Sequence, residues 1–227
     1  LSKLLSFYKG NRKNIPFPLI SASSLVCDLI HRDAGGGLYI DEETSWVVAT
    51  NLNTGSLHTT GIDLNLNYSF DLPDGFGSMD ISNISNYLMS YKIEAIPGAD
   101  VVECAGFYFG SCNLPRSEFG STTSLTWTTD GGTSITGSWC FIGGTTLQGS
   151  TNPNNQSFQL ENISYFDLAV SAEIMEGVRL RAGVNNILGQ RPATTSALPA
   201  GLGTGNTYAA LYDVDMRLLF LAVTADF

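Results

Sequence analysis

Residues 62 to 71 alternate without a break between oily and wet side chains: Ile62, Leu64, Leu66, Tyr68 and Phe70 against Asp63, Asn65, Asn67, Ser69 and Asp71. Successive side chains of a β-strand point to opposite faces, so a period of two over ten residues predicts a strand. One face meets an apolar medium and the other meets water. We place this strand at about 57–72, and Pro73-Asp74-Gly75 after it turns the chain.

The same period recurs to the end of the chain. At about 78–93, Met79, Ile81, Tyr87, Met89, Tyr91 and Ile93 share a face, but Asn83 and Ser85 interrupt it and Ile84 and Leu88 lie opposite. Either a bulge resets the register there or the strand faces something other than oil. Strands follow at about 121–130 (Leu125 and Trp127 against Ser124, Thr126 and Thr128) and 133–143 (Ile135, Trp139 and Phe141 against Ser134, Thr136 and Ser138), joined at Asp130-Gly131-Gly132. Next come 162–174 (Phe166, Leu168, Val170, Ala172 and Ile174 against Asp167, Ser171 and Glu173) and 178–185 (Val178, Leu180, Ala182 and Val184 against Arg179, Arg181, Gly183 and Asn185). The last strand, 217–227, carries Leu219, Leu221, Val223, Ala225 and Phe227 on one face and stops on that aromatic residue.

Short turns alternate with long loops at about 97–119, 144–161 and 187–209. Short turns at one end, long loops at the other and an apolar closing strand are the pattern of an outer-membrane barrel. The expected fold is all-β, an antiparallel transmembrane β-barrel, with 57–227 as barrel strands between short periplasmic turns and long extracellular loops. Residues 1–56 fit less regularly and are expected to form an extended extracellular loop region, with short strands at 38–40 and 46–53.

Composition agrees with a two-sided strand protein. Charged residues make up 14% of the chain, against the usual quarter, and no run approaches the apolar length of a membrane helix. A net charge of −10 argues against a nucleic-acid partner. Of four cysteines, Cys104 and Cys112 flank a short aromatic loop, and a local disulfide is expected in an oxidising compartment. Cys27 and Cys140 read as unpaired. Phe107, Tyr108 and Phe109 at the tip of that loop are candidate ligand contacts, with a packed loop core as the alternative. Asp63, Asp167, Glu173, Arg179 and Arg181 are expected to face the lumen; the two arginines would steer an anionic substrate or pair with lumen carboxylates. Trp127, Trp139, Tyr87, Tyr91 and Phe227 read as interfacial girdle residues. Cys27, Asp28, His31 and Asp33 lack the second ligand cluster of a metal site. No catalytic constellation stands out, and neither an enzyme, a metal nor a cofactor is expected.

Several segments resemble TonB-dependent outer-membrane receptors. The closing Phe220-Leu221-Ala222-Val223-Thr224-Ala225-Asp226-Phe227 looks like their terminal strand. Ala182-Gly183-Val184-Asn185-Asn186-Ile187-Leu188, followed by Arg191-Pro192, looks like the stretch before their last extracellular loop. Tyr165-Phe166-Asp167-Leu168 and Thr60-Gly61-Ile62-Asp63-Leu64 look like their strand openings, and Cys27-Asp28-Leu29-Ile30-His31-Arg32-Asp33 like a loop of some members.

The resemblance implies the C-terminal part of a 22-stranded barrel around a plug. At the strand spacing seen here, 22 strands need about 540 residues. It also implies uptake of a scarce nutrient (an iron chelate, cobalamin or a glycan) in the bacterial outer membrane. The implied partners are outer-membrane lipid, the plug domain and remaining strands, a TonB-type energy transducer and the barrel-assembly machinery. Two other readings stay open: a small self-contained barrel with an adhesive or structural role, and a soluble extracellular sandwich.

Overall fold

The structure is a computed structural model that describes residues 27, 29–38, 45–48, 55–96, 98–198 and 205–225. The chain is all-β. In order, its strands are β1 (Ile30–His31), β2 (Trp46–Val47), β3 (Ser56–Asp71), β4 (Ser78–Glu94), β5 (Val102–Glu103), β6 (Phe107–Tyr108), β7 (Phe119–Thr128), β8 (Ser134–Ile142), β9 (Thr145–Leu147), β10 (Gln159–Leu160), β11 (Ile163–Met175), β12 (Val178–Asn185) and β13 (Leu218–Ala225). The expected strand at 38–40 is not among them: Leu38 is irregular, and 39 and 40 lie outside the described residues. Of 46–53, only β2 lies within them. Phe227, the last residue of the apolar closing face, also lies outside them.

Two compact units divide the chain, 1–57 with 93–101, and 58–92 with 102–227. In the first, β1 and β2 pair and His31 stacks on Trp46 at 4.4 Å. Asp33 folds the intervening loop by accepting the Gly35 and Gly37 N–H groups at 2.9 and 2.8 Å. His31 and Asp33 thus have local structural roles, and no metal-ligand grouping occurs among the described residues.

The second unit is a meander in the order β13-β12-β11-β8-β7-β4-β3, with β5 added beside β4. Neighbouring long strands are consecutive in this order because each is joined by a hairpin or a loop. Among the described residues the sheet is open, with β3 and β13 at opposite edges. Its register carries the alternation of each strand across to the next. Leu168, Val170 and Ala172 stand opposite Val184, Ala182 and Leu180, which stand opposite Leu219, Leu221 and Val223. Phe166 and Val170 stand opposite Trp139 and Ile135, and Ile135 opposite Trp127. One continuous face is therefore oily and the other polar.

The oily face is not a core. Ile62, Leu64, Leu66, Tyr68, Leu219, Leu221 and Val223 are all at least half exposed. Fully burying one such side chain is worth about 1.5–3 kcal/mol, so an uncovered face of this extent calls for an apolar medium or a partner against it. Aromatic rings bound it. Toward the short turns, the Trp127 indole N–H donates to the Phe76 carbonyl at 2.7 Å. Toward the loops, Phe119 meets Phe141 at 5.9 Å, and Trp139 meets Phe141 at 6.1 Å and Phe166 at 6.3 Å. Phe119 and Trp127 lie on one strand, eight residues or roughly 26 Å apart along it. At the tilt of barrel strands this is a height of about 20 Å.

Asn83 and Ser85 prove to involve no bulge: β4 and β7 pair without a register shift from Ser78↔Thr128 to Tyr87↔Phe119. Asn83 stands opposite Thr123 and Ser85 opposite Ser121. The Asn83 amide donates to Thr123 Oγ1 at 2.8 Å and Ser121 Oγ at 3.1 Å, Ser85 Oγ donates to Asn83 Oδ1 at 2.9 Å, and the two serine hydroxyls lie 2.9 Å apart. The polar gap on one strand is filled by a polar gap on its neighbour. Asn83→Leu is expected to cost about 1–3 kcal/mol, because it strands the Thr123 hydroxyl and takes one partner from each of Ser85 and Ser121 in an oily surface. Replacing all four residues by apolar ones is expected to be nearly neutral. Urea midpoints of the two variants check this.

Candidate functional site

The long connections, expected to be irregular, fold into a module at one end of the sheet. The first begins on β5, where the Glu103 carboxylate gathers four donors. Ser90 Oγ and the Tyr91 N–H donate at 2.6 Å each, Ala105 N–H at 3.0 Å and Cys104 N–H at 3.1 Å. Burial alone would raise this carboxyl's pKa, but the hydrogen bonds from Ser90, Tyr91, Ala105 and Cys104 outweigh it and pull the pKa down to about 2. Because the folded pKa lies below the unfolded one, the anchorage is fully present above about pH 4.5 and is lost as the pH falls toward 2. Proteolytic nicking of this loop is expected to be flat from pH 8 to 5 and to rise below 4, and Glu103→Gln is expected to abolish that step.

Cys104 and Cys112 are joined in a disulfide with Cα atoms 5.3 Å apart, and both are fully buried. Arg116 lies over the Tyr91 ring at 4.5 Å and ties the far side of the loop to β4. Cys27 and Cys140 are free.

The first loop then joins the second through β6, β9 and β10. Phe107 and Tyr108 run parallel beside Thr146 and Leu147, while Thr145 and Thr146 pair with Leu160 and Gln159. The third loop supplies Ala197, Tyr208 and Tyr212, which close a core with Tyr108, Leu160, Ile163 and Tyr165. Tyr108 is the hub. Its hydroxyl donates to the Ser157 carbonyl and lies 3.0 Å from Thr195 Oγ1, and its ring meets Tyr208 edge-on at 5.9 Å. The Tyr208 hydroxyl donates to the Ala197 carbonyl at 2.9 Å, and Ser157 and Ser196 share a hydrogen bond of 2.7 Å. Burial, reinforced by the neighbouring tyrosines, pushes the Tyr208 and Tyr212 hydroxyls up to about 12, so both stay neutral.

Here the expectation for Phe107, Tyr108 and Phe109 needs correction. Tyr108 has no exposed surface and cannot touch a ligand; it is a large ring with two hydrogen-bond partners at the meeting point of three loops. Phe107 and Phe109 remain partly exposed. Phe109, packed against the rim of the core, has φ 64° and ψ −175°, a conformation normally left to glycine. The backbone of Phe109 and Asn113 holds it there by reciprocal N–H···O bonds of 3.1 and 3.2 Å.

The charged residues of the sheet occupy its polar face. Asp63 lies on β3 with the same parity as Ser69, whose hydroxyl donates to Asp80 of β4. Glu173 and Arg179 stand opposite one another with 4.0 Å between them, both substantially exposed. Arg181 lies over the Phe220 ring at 5.4 Å, and that ring covers Gly183, where a Cβ would come within 2.5 Å of it. Asp167 turns instead to the backbone and accepts the Asn186 N–H at 2.7 Å. Asn186, buried and at φ 51°, bonds Gln190 in both directions at 2.8 Å and starts the third loop.

Sequence reasoning missed Leu160, Tyr208, Tyr212 and Asn186. Tyr208 and Tyr212 lie four apart in a loop with no strand period, so only their size in an otherwise small and polar stretch signalled a core.

No family model matches the chain, and no curated protein matches it. Two solved structures of variants of the ferric enterobactin receptor from Pseudomonas aeruginosa are similar to it at a TM-score of 0.48 and 17% identity, over 74% of this chain and 22% of the receptor. The chain thus matches less than a quarter of that receptor's length.

Proposed function

We propose that this chain forms the C-terminal strands of a larger outer-membrane barrel, about 22 strands in all, and that the barrel is an energy-coupled receptor of the TonB-dependent kind importing a scarce nutrient. The observation that carries this reading is the oily face shared by seven consecutive strands, exposed along β3 and β13, exposed or partly exposed across the strands between them, and edged by aromatic rings at both ends. In lipid such a face is satisfied, and the opposite, polar face lines an interior.

The open edges support a barrel larger than these strands. In hydrocarbon each unpaired backbone N–H or C=O costs several kcal/mol, so β3 and β13 need further strands beside them. The short turns lie on the periplasmic side and the loop module faces outward. Residues 1–56 belong to an extended outer loop region. In this reading Asp63, Asp167, Glu173, Arg179 and Arg181 line the lumen beside a plug, a transducer pulls on that plug, and the assembly machinery reads Leu219, Leu221, Val223, Ala225 and Phe227. The role is transport and not catalysis.

Two measurements test the proposal. The protein in native membranes is expected to run as a band several-fold larger than 24.3 kDa and to change mobility on heating. A heat-modifiable band near 24 kDa would favour the small self-contained barrel, and a protein stable without detergent would exclude both. A gene deletion that slows growth on one scarce nutrient identifies the cargo.

A further inference from the structure

The loop module is almost devoid of charge. No charged side chain or histidine occurs between Glu103 and Arg116, between Asp130 and Glu161, or between Arg191 and Asp213. These stretches supply five of the module's seven core residues, Tyr108, Leu160, Ala197, Tyr208 and Tyr212. Of the charges at their borders, the Glu103 carboxylate is taken up by four donors and Arg116 by the Tyr91 ring, and the exposed cations Arg191 and Arg217 are outnumbered by the acidic Glu118, Glu161 and Asp213. An anionic cargo needs cationic side chains or aimed N–H groups, and a chain of net charge −10 repels it at a distance.

What the module does offer is a partly exposed ring among uncharged donors and acceptors. Phe109 is fixed in its glycine-like conformation at the rim. Beside it, Gln148 Oε1 accepts the Ser111 N–H at 2.7 Å, and the Gln148 amide nitrogen has no partner among the described residues. The Ser111 hydroxyl and the Asn113 side chain are exposed and make no hydrogen bond among the described residues. Rings stack on the C–H faces of sugars, and amides and hydroxyls exchange hydrogen bonds with sugar hydroxyls without the desolvation cost of a charge.

We propose that this rim, Phe109 with Ser111, Asn113 and Gln148, recognises a neutral oligosaccharide. The assignment rests on the receptor reading above and names its cargo class, to the exclusion of iron chelates. Phe109 is the stacking platform, and the reciprocal Phe109–Asn113 bonds and the buried disulfide preorganise it.

The test uses the full-length protein containing this chain, purified in detergent from native outer membranes, with a panel of neutral hexo- and pento-oligosaccharides, a ferric triscatecholate and a corrinoid. Binding of a neutral oligosaccharide is expected. Phe109→Gly and Asn113→Gly, which keep the backbone conformation while removing the side chain, are each expected to weaken it about tenfold, and Gln148→Ala likewise. Heat-modifiable mobility shows that the sheet of each variant is folded, and parent-like protease resistance of 144–162 and 187–217 shows that its loop module is. Binding of the ferric chelate or corrinoid with no sugar bound, binding of nothing in the panel by folded protein, or unchanged sugar affinity in all three variants would overturn the cargo class and leave the receptor reading intact. A protein that is not heat-modifiable would sink the receptor reading itself.

Discussion

Arginine at Val170 is expected to cost about 2–4 kcal/mol of folded-state stability, whereas arginine at the adjacent Ala169 is expected to cost no more than about 0.5 kcal/mol. Val170 lies on β11, five residues above the short turn, with Ile135 and Ala182 as its neighbours on the oily face. Five residues at barrel tilt place it roughly 12 Å from the turn, near the middle of an apolar band about 25 Å tall. There a guanidinium has no water and no partner. Ala169 points to the other side, between Thr136 and Gly183, where water and polar groups are at hand. Urea titrations in lipid vesicles, read by heat-modifiable mobility, give both values. Equal costs at the two sites would mean that the sheet's faces do not differ in solvent.

Removing the Tyr108 ring has the second large effect. Tyr108→Ala is expected to destabilise the loop module by about 3–5 kcal/mol, the usual cost of emptying a buried aromatic site. The loss is local. The β11, β12 and β13 pairing involves none of the Tyr108 contacts, so heat-modifiable mobility is expected to persist while protease sites open in 144–162 and 187–217. Tyr108→Phe keeps the ring and gives up only the hydroxyl bonds to Ser157 and Thr195, at about 1 kcal/mol. Global unfolding of the alanine variant, or loops as protected as in the parent, would contradict a separate loop core.

The sheet was legible in the sequence because a two-solvent strand writes its environment into every residue. Ile62 to Asp71 and Val178 to Asn185 could be assigned residue by residue, and their strands fall within two residues of the expected bounds. Asn83 and Ser85 looked anomalous because a single strand carries no information about its neighbour. Only the β4–β7 register shows Ser121 and Thr123 waiting opposite them. The loop module was not legible for a related reason. Its order comes from contacts between distant segments (Tyr108 with Thr195, Ser157 with Ser196), and no local period encodes these. The disulfide was readable from the short spacing of Cys104 and Cys112. That Tyr108, inside the same loop, is buried while Phe109 beside it stays partly exposed could not be read from three consecutive aromatic residues.

The most direct measurement is solvent accessibility along β3. Single cysteines at each position from 62 to 71, in a Cys27→Ser and Cys140→Ser background, are spin-labelled in the native membrane and exposed to molecular oxygen or to a water-soluble nickel chelate. The account predicts oxygen contact at 62, 64, 66, 68 and 70 and nickel contact or interior burial at 63, 65, 67, 69 and 71. Nickel contact at the even positions, or all ten labels buried alike, would contradict it.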